Sequence, residues 1–122
     1  MPTRLWLEGW IPPSERDVRR HHWRVEYRNK HKLHWLVKVA MMEQGVAPVM
    51  DDLKKRASIT VYRSRELDDD NFIGGLKSLV DTLKLEGFFK DDSRKFLDLL
   101  HAPKQVATKE KKGTEVLIED VT

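Results

Sequence analysis

Residues 57–63 read Ala57-Ser58-Ile59-Thr60-Val61-Tyr62-Arg63, and this stretch decides the expected fold. The stretch is rich in β-branched residues, and apolar Ala57, Ile59 and Val61 alternate with residues that carry a hydroxyl group, which is typical of a β-strand whose two faces meet different surroundings. The segment 46–52 that precedes it contains Pro48 and is predicted to be a turn. A strand is therefore predicted at 57–63, and the other elements are placed relative to it.

A helix is predicted downstream of this strand. Apolar side chains there are spaced i, i+3, i+4 and i+7, with polar side chains on the opposite face. The apolar positions are Leu76, Leu79, Val80 and Leu83, and the polar positions are Lys77, Asp81 and Lys84. Gly87 is placed to end the helix.

The remaining elements are predicted from the same two periodicities and from breaker residues. We expect a strand over Arg4–Trp10, an irregular basic connection over 14–29, a helix over about 30–44, a strand over about 95–101, a lysine-rich hairpin through Gly113 and a last strand over 114–120. Pro12-Pro13 ends the first strand and Gly45 ends the first helix. This order predicts an α/β (α+β) fold, with a small mixed β-sheet and two main helices packed on it, in a single domain spanning residues 1–122.

The composition bounds the class of protein. Of the 122 residues, 39% are hydrophobic and 35% are charged, which is typical of a globular domain. The sequence contains no cysteine, so disulfides and thiolate metal sites are excluded and a cytoplasmic location is expected. No apolar run is long enough for a membrane span or a secretory signal, so no membrane partner is expected.

Positive charge is concentrated in the first third of the chain. Eight Lys and Arg side chains lie between Arg16 and Lys38, interleaved with histidines and with Trp23, Tyr27 and Trp35. Cations mixed with flat rings favour a phosphate backbone with unstacked bases, although a solvated helix and loop would have the same composition. The candidate DNA-binding residues are Arg16, Arg19, Arg20, Arg24, Arg28, Lys30 and Lys32.

Negative charge is concentrated in two short clusters that flank the second predicted helix. In extended chain Asp68 and Asp70 point the same way and Asp69 points away. Two neighbouring carboxylates repel unless they share a proton or hold a cation, and an all-oxygen site favours a hard ion such as Mg²⁺ or Mn²⁺. The pair Asp91-Asp92 offers a third carboxylate. Alternatively, Asp70 is a helix N-cap in a solvated acidic turn.

These residues together resemble a known family. The pattern Asp68-x-Asp70-Asn71, Lys77-x-x-x-Asp81-x-Leu83, Gly87 and Asp91-Asp92 is similar to that of the RusA-like endodeoxyribonucleases, most specifically over residues 68–92. The resemblance implies a homodimer that cuts four-way DNA junctions with Mg²⁺ or Mn²⁺. The metal ligands would be Asp68, Asp70 and Asp92, the catalytic lysine would be Lys77, and Asn71 and Asp91 would have supporting roles.

The chain departs from the family pattern in one spacing. The family places the lysine three residues after the asparagine, but that position is Gly74 here and Lys77 lies three residues further on. If a helix began at Asn71, Lys77 would lie about 10 Å along its axis from Asp70. Because glycines disfavour helix, we instead expect a loop through Gly75 and a helix that starts near Leu76, with Lys77 in its first turn.

Other functions are compatible with the same residues. A nuclease built this way could act on flaps or forks instead of four-way junctions, and a DNA-binding module on the same scaffold could have lost catalysis. The adjacent pair His21-His22 and the pair His31 and His34 are expected to face DNA or to be structural, and a metal role is not expected for them.

Overall fold

The computed structural model describes residues 3–13, 23–48, 51, 53–66, 75–91, 95–98 and 103–121. Its elements are β1 (Thr3–Glu8), α1 (Trp23–Gln44), β2 (Lys55–Arg63), α2 (Lys77–Leu85), β3 (Leu97–Asp98), β4 (Lys104–Ala107) and β5 (Gly113–Asp120). Over these residues the chain forms a mixed five-stranded sheet with two helices. The mixed sheet and the two helices are as predicted, but the sheet has one strand more than the four expected. No helix within the described ranges is both long and apolar enough to cross a membrane.

The C-terminal strand lies inside the sheet. β5 pairs antiparallel with β1 on one side and with β2 on the other, and β3 and β4 pair parallel with β2. β1, β2 and β4 therefore run in one direction and end at the same edge of the sheet, where β5 begins. In the sequence, β2 is followed by the acidic segment 67–71, which lies outside the described residues.

Alternation along β2 fixes which face of the sheet meets the helices. Residues of β2 are alternately buried and half-buried, and Ala57, Ile59 and Val61 belong to the hydrophobic core. Leu33 and Val37 of α1 are buried in the same core, as are the apolar residues of α2. On the other face of the sheet the rings of Trp6 and Tyr62 meet edge to face at 5.7 Å.

The helix α1 is longer than predicted. We expected residues 14–29 to be irregular, but α1 begins at Trp23. The error has a physical reason: Trp23 and Tyr27 are 67% and 60% exposed, so the first two turns show no apolar stripe. Leu33, at 3% exposed, is the first core residue of the helix, and the apolar period becomes visible only there.

The segment between α2 and β5 also differs from the prediction. A strand was expected over 95–101, and β3 covers Leu97–Asp98 of it, while residues 99–101 lie outside the described residues. A hairpin was expected from there to Gly113, but β4 lies within it. The side chains of β4 are exposed or half-buried, so apolar alternation could not reveal it. Its backbone pairs with β2, in a register shifted by two residues from that of β3.

Polar contacts join the two helices. His34 Nε2 of α1 lies 2.6 Å from Oε1 of Glu86, and Lys38 Nζ lies 3.2 Å from the same oxygen. The side chain of Glu86 is only 11% exposed. His34 is therefore a structural contact between α1 and the end of α2, one of the two roles expected for it.

A buried lysine joins two acidic residues at the opposite edge of the sheet, where β2 begins and β5 ends. Lys55 is 4% exposed, its Nζ lies 2.9 Å from Oδ1 of Asp51, and it also donates to the carboxylate of Asp120. Burial alone would lower the pKa of Lys55, but the hydrogen bonds to Asp120 and Asp51 outweigh it, so this pKa is raised. The hydrogen bond from Lys55 lowers the pKa of Asp51.

Replacing Gly113 should test the close approach of β5 to β1. A Cβ atom at Gly113 would lie 2.5 Å from Cζ2 of Trp6 and 2.7 Å from the carbonyl oxygen of Leu7. We expect Gly113→Ala to lower the free energy of unfolding by about 1–3 kcal/mol, measured by urea denaturation. The neighbouring exposed change Lys112→Ala is the control, and equal midpoints for the two variants would contradict this packing.

Replacing Lys55 should change the pH dependence of stability. A raised lysine pKa contributes stability below the unfolded value and loses it as pH rises through the folded value. We expect Lys55→Met to be less stable than the wild type at neutral pH, with a gap that narrows above about pH 10.5. Urea denaturation from pH 7 to 11 measures this gap. Lys54→Met is the matched control, and a gap that does not change with pH would contradict the ion pair.

Candidate active site

The predicted site residues fall into two groups. Several lie outside the described residues, namely Asp68, Asp70, Asn71, Asp92, Arg16, Arg19 and Arg20. The structure describes the others, which are Lys77, Asp91, Arg24, Arg28, Lys30 and Lys32. Within the described ranges no group of three or more His, Asp or Glu side chains is arranged to hold a metal ion. The predicted metal ligands themselves are not among those residues.

The start of α2 agrees with the expectation that the helix begins near Leu76 and has Lys77 in its first turn. The helix begins at Lys77, with Leu76 as its N-cap, so the lysine is in the first turn and is exposed. Leu76 makes no side-chain capping hydrogen bond. The first backbone N–H groups of a helix have no partner within it, and this end of the helix carries partial positive charge.

Asp91 lies at the other end of α2. Its Oδ1 is 3.2 Å from Nζ of Lys84, and both side chains are more than a third exposed. Lys77 and Lys84 are separated by two turns, or about 10 Å along the helix axis. The structure therefore does not bring Asp91 to Lys77, and it does not describe where Asp92 lies relative to Asp68 and Asp70.

A cleft opens at the edge where β1 and β2 end. Its volume is about 460 Å³. It is lined by Trp10, Ile11, Pro12 and Pro13 after β1, by Glu26, Asn29, Lys32, Leu33 and Leu36 of α1, by Arg63 of β2 and by Ser78 of α2. The start of α2 and the predicted DNA-binding residue Lys32 thus meet in one concave site, next to the acidic segment in the chain.

Arg63 is the functional candidate that sequence reasoning missed. It is the last residue of β2, it is 9% exposed, and its Nη1 atom is buried with no hydrogen-bond partner in the described part of the chain. Burial lowers its pKa, but arginine stays protonated in proteins. An uncompensated buried charge costs several kcal/mol. The alternation of β2 could have revealed Arg63, because it is in phase with the buried residues Ile59 and Val61.

Exposed cations and exposed rings are distributed around α1, with Lys32 in the cleft and Tyr27 and Lys30 in a separate groove beside α2. Arg24, Arg28, Lys30 and Lys32 are all exposed, as are Trp23, Tyr27 and Trp35. The guanidinium of Arg24 lies 5.3 Å from the ring centroid of Trp23, and the rings of Tyr27 and His31 are 4.4 Å apart. The interleaving expected from the sequence is therefore present on a helical surface.

No protein-family model matches the chain, and no curated protein matches it in sequence. The similarity to the RusA-like endodeoxyribonucleases thus rests on the motif residues themselves and stays a prediction.

Lys77 should be dispensable for stability. Because its side chain is exposed at the first position of α2, we expect Lys77→Ala to change the free energy of unfolding by less than about 0.5 kcal/mol. Glu86→Ala is the comparison variant, and we expect it to lose about 1–3 kcal/mol because it removes the contacts to His34 and Lys38. Thermal and urea denaturation measure both, and a large loss for Lys77→Ala would indicate a structural role.

Proposed function

We propose that this chain is a Mg²⁺- or Mn²⁺-dependent endodeoxyribonuclease of the RusA type that hydrolyses phosphodiester bonds in four-way DNA junctions. The observation that carries the proposal is the start of α2 at Lys77. It returns the lysine to the first turn of the helix despite the three additional residues around Gly74-Gly75. The chain thus combines the acidic motif, the helix that follows it and a lysine at the beginning of that helix.

The chemistry of the donor set fits the proposed ion. Asp68, Asp70 and Asp92 would hold it, and three carboxylates without sulfur or imidazole suit Mg²⁺ or Mn²⁺ better than a softer metal. When bound, such an ion activates a water molecule and stabilises charge on the scissile phosphate.

The chain's own cations would bind and orient the DNA. Lys77, exposed at the positive end of α2, would contact an oxygen of the scissile phosphate and offset the charge that develops there. The helix α1 would bind the backbone through its exposed cations Arg24, Arg28 and Lys30, which makes affinity dependent on salt. Its exposed rings would stack on bases that are unpaired at a branch point.

A homodimer completes the proposal. A four-way junction has near two-fold symmetry, so two copies related by a two-fold axis would present two sites to opposed strands. Flaps and forks have no such symmetry. Substrate preference therefore separates the junction proposal from that of a nuclease acting on other branched DNA.

Cleavage of a labelled four-way junction in Mg²⁺ tests the proposal. We expect paired symmetric nicks from the wild type and a loss of about 10³-fold or more for Asp70→Asn, since removing a metal ligand removes most of the chemical step. Asp69→Asn is the matched control, because its side chain is expected to point away from Asp70, and it should cut at nearly the wild-type rate.

Two outcomes of the same assay would contradict the proposal of a junction-cutting enzyme. Equal or faster cutting of flap or fork DNA in competition would replace the junction by those substrates. Tight binding of the junction with no cleavage by the wild type, in Mg²⁺ or Mn²⁺, would indicate a DNA-binding module that has lost catalysis.

A further inference from the structure

In the part of the chain that the structure describes, no side chain pairs with the buried arginine of β2. Arg63 is 9% exposed and its Nη1 atom has no hydrogen-bond partner among the residues described. It forms no ion pair there either, unlike the buried Lys55, which contacts two carboxylates. A buried guanidinium in this state is suited to an anionic ligand, because planar N–H donors in a fixed fork match phosphate oxygens.

The surroundings of Arg63 add to this observation. The cleft that it lines also contains Ser78 in the first turn of α2, a nine-residue helix whose N-terminus has no side-chain cap. Of the lining residues that the structure describes, Lys32 is a second cation and Glu26 is the one carboxylate. Excess positive charge and the end of a helix both favour an anion.

The walls of the cleft are apolar. Trp10, Pro12 and Pro13 form one side and Leu33 and Leu36 form another. The volume of about 460 Å³ falls within the range of pockets for small organic ligands. The cleft therefore has room for more than a bare ion, and its apolar walls suit the sugar and base of a nucleotide.

We propose that this cleft binds one nucleotide of a DNA strand, with Arg63 holding its phosphate and the Trp10–Pro13 wall contacting its sugar and base. This inference rests on the proposed action on DNA and names a strand-binding subsite for it. Arg63 acts here as a binding residue. The proposal of this subsite uses described residues alone and does not depend on the metal ligands proposed above.

Thermal denaturation in EDTA tests the subsite without metal or cleavage. Ligands that bind only the folded state raise its midpoint. We expect deoxythymidine 5′-monophosphate to raise the midpoint of the wild type, inorganic phosphate to raise it less, and thymidine to leave it unchanged. If inorganic phosphate raised the midpoint as much as the nucleotide does, the cleft would be a site for phosphate alone, and the proposed nucleotide site would be overturned.

Variants of Arg63 give the second arm of the test. Arg63→Met should abolish the nucleotide-dependent rise and weaken junction binding about tenfold in EDTA. It should also reduce the slope of log affinity against log salt by about one. Its own midpoint without ligand should equal or exceed that of the wild type, because an uncompensated buried charge is removed. Arg63→Lys should retain part of the nucleotide effect.

Arg4→Met is the matched control. Arg4 is an exposed residue of β1, far from the end of the strand that enters the cleft, and its removal changes the net charge equally. A lower midpoint for Arg63→Met together with unchanged nucleotide and DNA binding would show a structural arginine and overturn the inference. Cleavage by the wild type is a separate readout, so the nuclease proposal and the subsite can fail independently.

Discussion

The pairing of β5 with both β1 and β2 is the interaction on which the rest of the structure depends. Because β5 is antiparallel to both neighbours, β1 and β2 run the same way although they are not adjacent. Their carboxyl ends then open at one edge of the sheet, where α1 and the start of α2 close a cleft around Arg63. The close contact of Gly113 with Trp6 fixes the point at which β5 enters this arrangement.

Periodicity predicted those elements that bury one face. The alternation of β2 and the apolar spacing of α2 arise because each element buries one face, so both elements were predicted close to their observed bounds. The first turns of α1 and the strand β4 bury little, and their formation depends on helix propensity and backbone pairing, which leave no apolar pattern. The sequence therefore predicted the core of the fold better than its surface.

The candidate site was predicted in part for a similar reason. Residue types and spacing identified the acidic clusters, Lys77 and the basic stretch from Arg16 to Lys38 as chemically meaningful. Neither type nor spacing showed that Arg63 is buried with no counter-charge among the described residues, since that depends on how the end of β1, α1 and α2 meet around β2. The proposed site would divide the roles: the carboxylates for a metal ion come from the segments that follow β2 and α2 in the chain, and the cations for phosphate would be those of the helices and of the end of β2.

The central claim is that carboxylates from both sides of α2 form one metal site. The most direct test is to measure Mn²⁺ binding by electron paramagnetic resonance in the absence of DNA. We expect the wild type to bind the ion, Asp70→Asn and Asp92→Asn each to lose this binding, and Asp69→Asn to retain it. If Asp92→Asn bound Mn²⁺ as tightly as the wild type does, the claim would be contradicted, because Asp92 would then not belong to the site that Asp70 helps to form.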